Sequence, residues 1–158
     1  MKTLILCTSV SHGNTRQIAD TIGDVLDARV TDPEQVGLDE LRTYDLVGFG
    51  SGIFNMSFHP RLRAYVTSLP RSHDGRAAFV FSTSGFPDPP FRRYTRGMTR
   101  LLDHRGFEVV DAFSCRGHDT WWPFKPVGGV RKGRPDATDL DAARTFARQL
   151  RGRCPSRP

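Results

Sequence analysis

Thr8-Ser9-Val10-Ser11-His12-Gly13-Asn14-Thr15 is the stretch on which the fold turns. An apolar run, Thr3-Leu4-Ile5-Leu6-Cys7, precedes it and reads as a buried strand. Ile18, Ile22, Val25 and Leu26 follow at helical spacing, which predicts a helix from about residue 14 to 27. A hydroxyl-rich loop therefore joins a strand to a helix. It presents hydroxyls and backbone N–H groups at the positive end of a helix dipole, the arrangement of an anion cradle.

The same alternation continues outward. Residues 28–30 read as a short second strand, and residues 32–45 carry a weak helix around Leu38–Leu41. Residues 46–51 form a third strand, whose Gly48 and Gly50 allow close approach of another backbone. A helix over 59–69 ends before Pro70 and a fourth strand covers 77–82. A helix after Pro89-Pro90 places Phe91, Tyr94, Met98, Leu101 and Leu102 on one face and stops at Gly106. Residues 107–114 are a fifth strand, 116–135 a long Gly-, Pro- and Trp-rich loop, and a last helix starts near Thr138. The tail 151–158 is expected to fray. Buried-type strands alternating with helices imply an α/β domain, a parallel sheet covered on both faces. One domain spanning 1–158 accommodates it.

The composition restricts the function. No apolar run approaches the roughly 20 residues of a membrane-spanning helix. The apolar start is shorter than a signal h-region of about 7–15 residues, so a soluble cytoplasmic protein is expected. Three cysteines, Cys7, Cys115 and Cys154, make no CxxC and fit reduced thiols. The net charge is +6 and the pI about 9.8, but the basic residues are almost all arginines scattered along the chain. That distribution argues against nucleic acid and favours acidic protein partners or anionic cofactors. No HExxH, GxSxG, GxxxxGK[ST] or GxGxxG is present, which disfavours zinc proteolysis, a hydrolase elbow, ATP hydrolysis and a dinucleotide fingerprint.

In an open parallel sheet, ligands bind beyond the carboxyl ends of the strands. There the chain places Ser9–Thr15, then Ser51-Gly52-Ile53-Phe54, then Thr83-Ser84-Gly85-Phe86, then the loop with His118, Trp121 and Trp122. Ser11-His12-Gly13-Asn14-Thr15 resembles the FMN phosphate loop of the flavodoxin family. Gly48–Phe54 and Phe81–Gly85 resemble that family's second and third flavin loops. The resemblance spans essentially the whole chain in element order. It implies a three-layer sandwich with five parallel strands in order 2-1-3-4-5, and non-covalent FMN. It also implies a phosphate held by Ser9, Ser11, His12, Gly13, Asn14 and Thr15. The isoalloxazine would lie between Ser51, Gly52, Ile53 and Phe54 on one side and Thr83, Ser84, Gly85 and Phe86 on the other. Phe54, Phe86 or Trp121 would stack on the ring, and backbone groups of Ser84 and Gly85 would meet its pyrimidine edge.

The chain departs from the family in five respects. His12 stands where a hydroxyl is usual before the glycine, Val10 replaces another hydroxyl, and the loop is about one residue longer. Loop two has Phe54 instead of the usual Trp or Tyr, and the chain is basic where classical members are acidic. Arg61, Arg92, Arg93 or Arg116 near the ring would stabilise the anionic reduced flavin and raise its potential. An FMN electron carrier working with redox protein partners is the leading expectation. An FMN-dependent NAD(P)H:quinone-type oxidoreductase is the alternative, and a binding module for another nucleotide is a third reading.

Overall fold

The computed structural model describes residues 1–9, 13–84, 93–116 and 135–154. In chain order its elements are β1 (Thr3–Thr8), α1 (Asn14–Leu26), β2 (Arg29–Thr31), α2 (Leu38–Leu41), β3 (Leu46–Phe54), β4 (Ser57–Phe58), α3 (Pro60–Ser68), β5 (Arg76–Ser84), α4 (Arg93–His104), β6 (Phe107–Arg116) and α5 (Ala137–Arg153). A single 3-10 turn, Pro33–Gln35, precedes α2. The strands are ordered β2-β1-β3-β5-β6 and pair in parallel. Taken as five, they follow the expected order 2-1-3-4-5. β4 is an addition, paired antiparallel to the end of β3.

Helices cover both faces. On one, Leu62 and Val66 of α3 and Met98 and Leu102 of α4 bury against Leu4, Leu6, Val47, Phe49 and Val80. On the other, Ile18, Ile22 and Leu26 of α1 and Ala143, Phe146 and Leu150 of α5 bury against Ile5, Cys7, Phe79 and Phe81. β1 is buried along its whole length, as an apolar run covered on both sides should be.

β3 is where the structure corrects the sequence reading most. The strand continues past Ser51 through Phe54, then reverses at Asn55-Met56 into β4. Both turn residues have positive φ, 47° and 63°, the backbone of a two-residue hairpin that follows the strand twist. Nor do the β3 glycines admit another backbone. Gly48 lies opposite Phe79 and Gly50 opposite Phe81 in register. A Cβ on Gly48 would fall 2.3 Å from Phe79 Cζ, and one on Gly50 only 2.0 Å from Phe81 Cζ. The glycines exist to seat two aromatic rings.

Smaller differences follow the same logic. β5 runs to Ser84 and β6 to Arg116, two residues past their expected ends. α5 continues through Arg153, inside the expected tail, because Arg153 pairs with Asp111 of β6 at 2.6 Å and basic residues suit a helix C-terminus. A capping box starts the same helix: Asp136 accepts from the Asp139 amide at 3.0 Å and donates its own amide to the Asp139 carboxylate at 2.9 Å.

Candidate functional site

The carboxyl ends of β1, β3 and β5 lie side by side. In register, Thr8 is next to Ser51, Ser51 next to Ser82, and Gly52 next to Thr83. α1 leaves the end of β1 directly, so its N-terminus opens onto this edge. No side chain of the N-cap residue closes it. That residue is Gly13, left-handed at φ 65° and ψ 17°. Among the described residues nothing lies within 4 Å of the position its Cβ would occupy, and its positive φ is what calls for glycine. The first turn of α1 contains no carboxylate. It carries Arg16 instead, partly engaged by Asp20 at 2.9 Å. A cation beside the positive end of a helix dipole is unfavourable on its own and suits a site built for an anion.

The Ser9 hydroxyl accepts from the Arg16 amide at 3.4 Å. Thr15, in the first turn and buried, meets the hydroxyl of Thr83 at 2.7 Å. The same Thr15 oxygen is 3.8 Å from where a Cβ on Gly52 would stand. Phe54 folds back over Gly52, its ring carbon Cε2 3.2 Å from that position. Thr15, Gly52, Phe54 and Thr83 are thus brought together from three separate segments. Asn14 is buried beside Thr15. Phe54 remains 37% exposed.

Two expected residues are occupied elsewhere. Ser51 donates its hydroxyl to the Gly52 carbonyl at 2.7 Å and accepts from the His59 amide at 3.0 Å. That side chain ties β3 to the start of α3. Ile53 packs into the α3–α4 core, where it pairs with Phe58 of β4. Ser84 is half-buried at the end of β5, in register with Arg116. Ser11, His12, Gly85 and Phe86 lie outside the described residues, as do His118 and Trp121.

Three residues at the site, Thr8, Met56 and His59, were not among the expected cofactor contacts. Thr8 ends β1 fully buried, and its hydroxyl has no hydrogen-bond partner among the described residues. A buried unpaired hydroxyl is costly unless a ligand or water completes it. His59 lies edge-on to Phe54, with centroids 5.0 Å apart and planes at 87°. Its Nδ1 accepts from the Arg61 amide at 3.1 Å and so caps α3, with Pro60 at the first helical position. Burial and the nearby Arg61 hold its pKa below the usual histidine value, against a smaller opposing pull from Glu34. Met56, at the hairpin tip, accepts from the Tyr94 hydroxyl at 3.3 Å and anchors the turn to α4. The signal for His59 was the His-Pro start of a helix; Thr8 was legible only as the head of the hydroxyl-rich stretch, since the isolation of its hydroxyl depends on the packing around it.

Of the arginines expected near the ring, Arg61 has its charge engaged by Glu34 at 2.8 Å. The side chains of Arg92, Arg93 and Arg116 lie outside the described residues. Among the described residues no cluster of His, Cys, Asp and Glu has the makings of a metal site.

A flavodoxin domain family matches residues 4–118 of the chain. An uncharacterized protein of Methanocaldococcus jannaschii is 37% identical over 152 residues, covering 95% of this chain and 98% of its own length. Among solved structures, oxidised Flavodoxin 2 from Bacillus cereus superposes with a TM-score of 0.72 at 21% identity, over 97% of this chain and 99% of that one. A flavodoxin, WrbA-like protein from Agrobacterium tumefaciens gives 0.71 at 12% identity, over 98% of both chains.

Proposed function

The chain belongs to the flavodoxin family, and on that premise we propose that it binds FMN non-covalently and carries electrons between redox proteins. The observation that carries this reading is the convergence of Thr15, Gly52, Phe54 and Thr83 beside the glycine-capped start of α1. The residues fit the cofactor at both ends. Thr15, Asn14, Ser9 and the first amides of α1 would hold the phosphate, with Ser11 and His12 in the same loop. The unpaired Thr8 hydroxyl and the carboxylate-free first turn are what such an anion would complete. The exposed part of Phe54 offers an apolar surface for a flat ring, and Gly52 keeps a side chain out of the space between Phe54 and Thr15. Bound FMN supplies the electron-transfer chemistry; the protein binds and orients it and sets the charge around it.

The carrier is preferred to the NAD(P)H:quinone-type oxidoreductase because the chain belongs to the flavodoxin family. His59, beside Phe54, spends Nδ1 on the helix cap. A net charge of +6 favours acidic redox partners. Among the described residues no helix is long and apolar enough to cross a membrane. The three cysteines form no disulfide, which suits a cytoplasmic setting. The test is a visible spectrum of the purified protein with and without added FMN. A flavin spectrum that stays with the protein through gel filtration is expected; free FMN with undiminished fluorescence refutes the proposal. Steady NAD(P)H oxidation with a quinone acceptor would transfer support to the enzyme reading.

A further inference from the structure

We infer that Thr83 is a positioning residue: its hydroxyl fixes the Thr15 hydroxyl in the orientation that donates to the phosphate at the start of α1. This rests on the FMN reading and adds a role for a side chain outside the phosphate loop. The two oxygens are 2.7 Å apart, and the residues are only 3% and 5% exposed, so water does not compete for the contact. Each hydroxyl has one proton and two lone pairs, and the pair uses only one of the two protons. If Thr15 donates to Thr83, its proton is spent and it can only accept. If Thr83 donates, the Thr15 proton is left for an oxygen at the helix N-terminus. A phosphate has no proton to offer there and selects the second arrangement, a chain of donors running Thr83 to Thr15 to anion.

The geometry also explains why a neighbour is needed. A threonine hydroxyl can sit in more than one staggered rotamer, and the 2.7 Å contact with Thr83 fixes where the Thr15 oxygen stands. The place is shaped for this contact. Along β5, Phe79, Phe81 and Thr83 alternate onto the α1–α5 face, opposite Gly48, Gly50 and Gly52 of β3. At the first two rungs the partner of a glycine is a ring. At the third it is a hydroxyl, aimed at α1.

The experiment compares FMN and riboflavin, which differ by the phosphate, in fluorescence-quenching titrations of flavin-free wild type, T83V and T83S. Thermal unfolding of each variant reports on its fold. T83V is expected to weaken FMN by about threefold or more through lost preorganisation, while riboflavin affinity changes by less than about half of that factor. T83S, which keeps the hydroxyl, is expected to restore FMN affinity. FMN affinity in T83V equal to or above wild type overturns the inference. So does an equal loss for both ligands, which marks a general structural role. Wild type that binds neither flavin removes the FMN reading itself, and the inference with it. Should T83V fail to fold, T83C keeps the bulk, weakens the donor and is judged by the same ratio.

Discussion

Replacing Gly50 by alanine tests how the sheet delivers its site-bearing loops. A Cβ there would stand 2.0, 2.2 and 2.4 Å from Cζ, Cε2 and Cε1 of Phe81. Ordinary contact needs about 3.4 Å, so the ring must retreat by roughly 1.4 Å. It has nowhere to go. Phe81 is fully buried and stacks on Phe79 at 6.1 Å, and Phe79 in turn meets Phe146 of α5 at 5.8 Å. Overpacking of this kind costs about 1–3 kcal/mol, and a clash with three ring atoms belongs at the upper end. G50A is therefore expected to lose about 3 kcal/mol, a large part of the roughly 5–15 kcal/mol that holds a domain folded. F81L alone should cost about 1–3 kcal/mol by opening a cavity. In the double variant the alanine methyl enters that cavity, so the two losses should fall short of their sum by about 2 kcal/mol. Urea unfolding of the four proteins, followed by far-UV circular dichroism, measures this directly. Losses that add within about 0.5 kcal/mol would refute the account of Gly50 as a seat for Phe81.

Two further outcomes are expected. His73 is buried with both ring nitrogens unpaired among the described residues, stacked on Phe107 at 4.2 Å. Burial, then Arg76 and Arg42, lower its pKa, with Asp74 opposing. The folded state thus resists protonation that the unfolded chain accepts. Stability should be constant with respect to this group above about pH 6.5 and fall as pH drops below it, by up to about 1.4 kcal/mol per pH unit. An H73Q variant whose stability declines between pH 7 and 5 as steeply as wild type would contradict this. Cys7 is buried in β1, and its thiol pKa is pushed up to about 12 by that burial, with Arg16 opposing. Mass spectrometry after alkylation at pH 8 should find Cys7 unmodified in the native protein and modified in urea; native labelling as fast as at Cys154 would show that β1 opens.

The readable parts of this chain are those in which one local signal dominates. α1 announced itself through Ile18, Ile22 and Leu26, all of which reach the core. The parallel sheet followed from the alternation of elements and its strand order from the family resemblance, and five of the six strands obey that order. The β3–β4 hairpin was illegible because Met56, a side chain that disfavours positive φ, occupies a turn position where glycine would have signalled it. Ser51 illustrates a different limit. A serine at a strand end reads equally well as a ligand contact or as a backbone tie, and only the His59 amide 3.0 Å away identifies the tie. The start of α1 at Gly13-Asn14-Thr15 was legible, but its link to β5 was not. Thr15 and Thr83 are 68 residues apart, and no short-range pattern joins them.

The alternate glycines of β3 connect these observations. In the sequence, residues 46–51 read as a strand and Gly48–Phe54 resembles a flavin loop. In the structure the strand runs through Phe54, and its α1–α5 face has been cleared of side chains, so that β5 can fill it. Phe79 and Phe81 take the first two places and make core. At the third place the strand reaches the sheet edge, the occupant becomes polar, and the vacated volume is shared by the Phe54 ring and the Thr15 hydroxyl. One repeating device thus packs the interior and, one rung later, builds the site. Displacing a ring at Gly50 would act on the same two strands that carry Gly52 and Thr83. Loss of stability and loss of flavin affinity should therefore appear together in G50A, whereas in T83V the effect on phosphate recognition should exceed the effect on the fold.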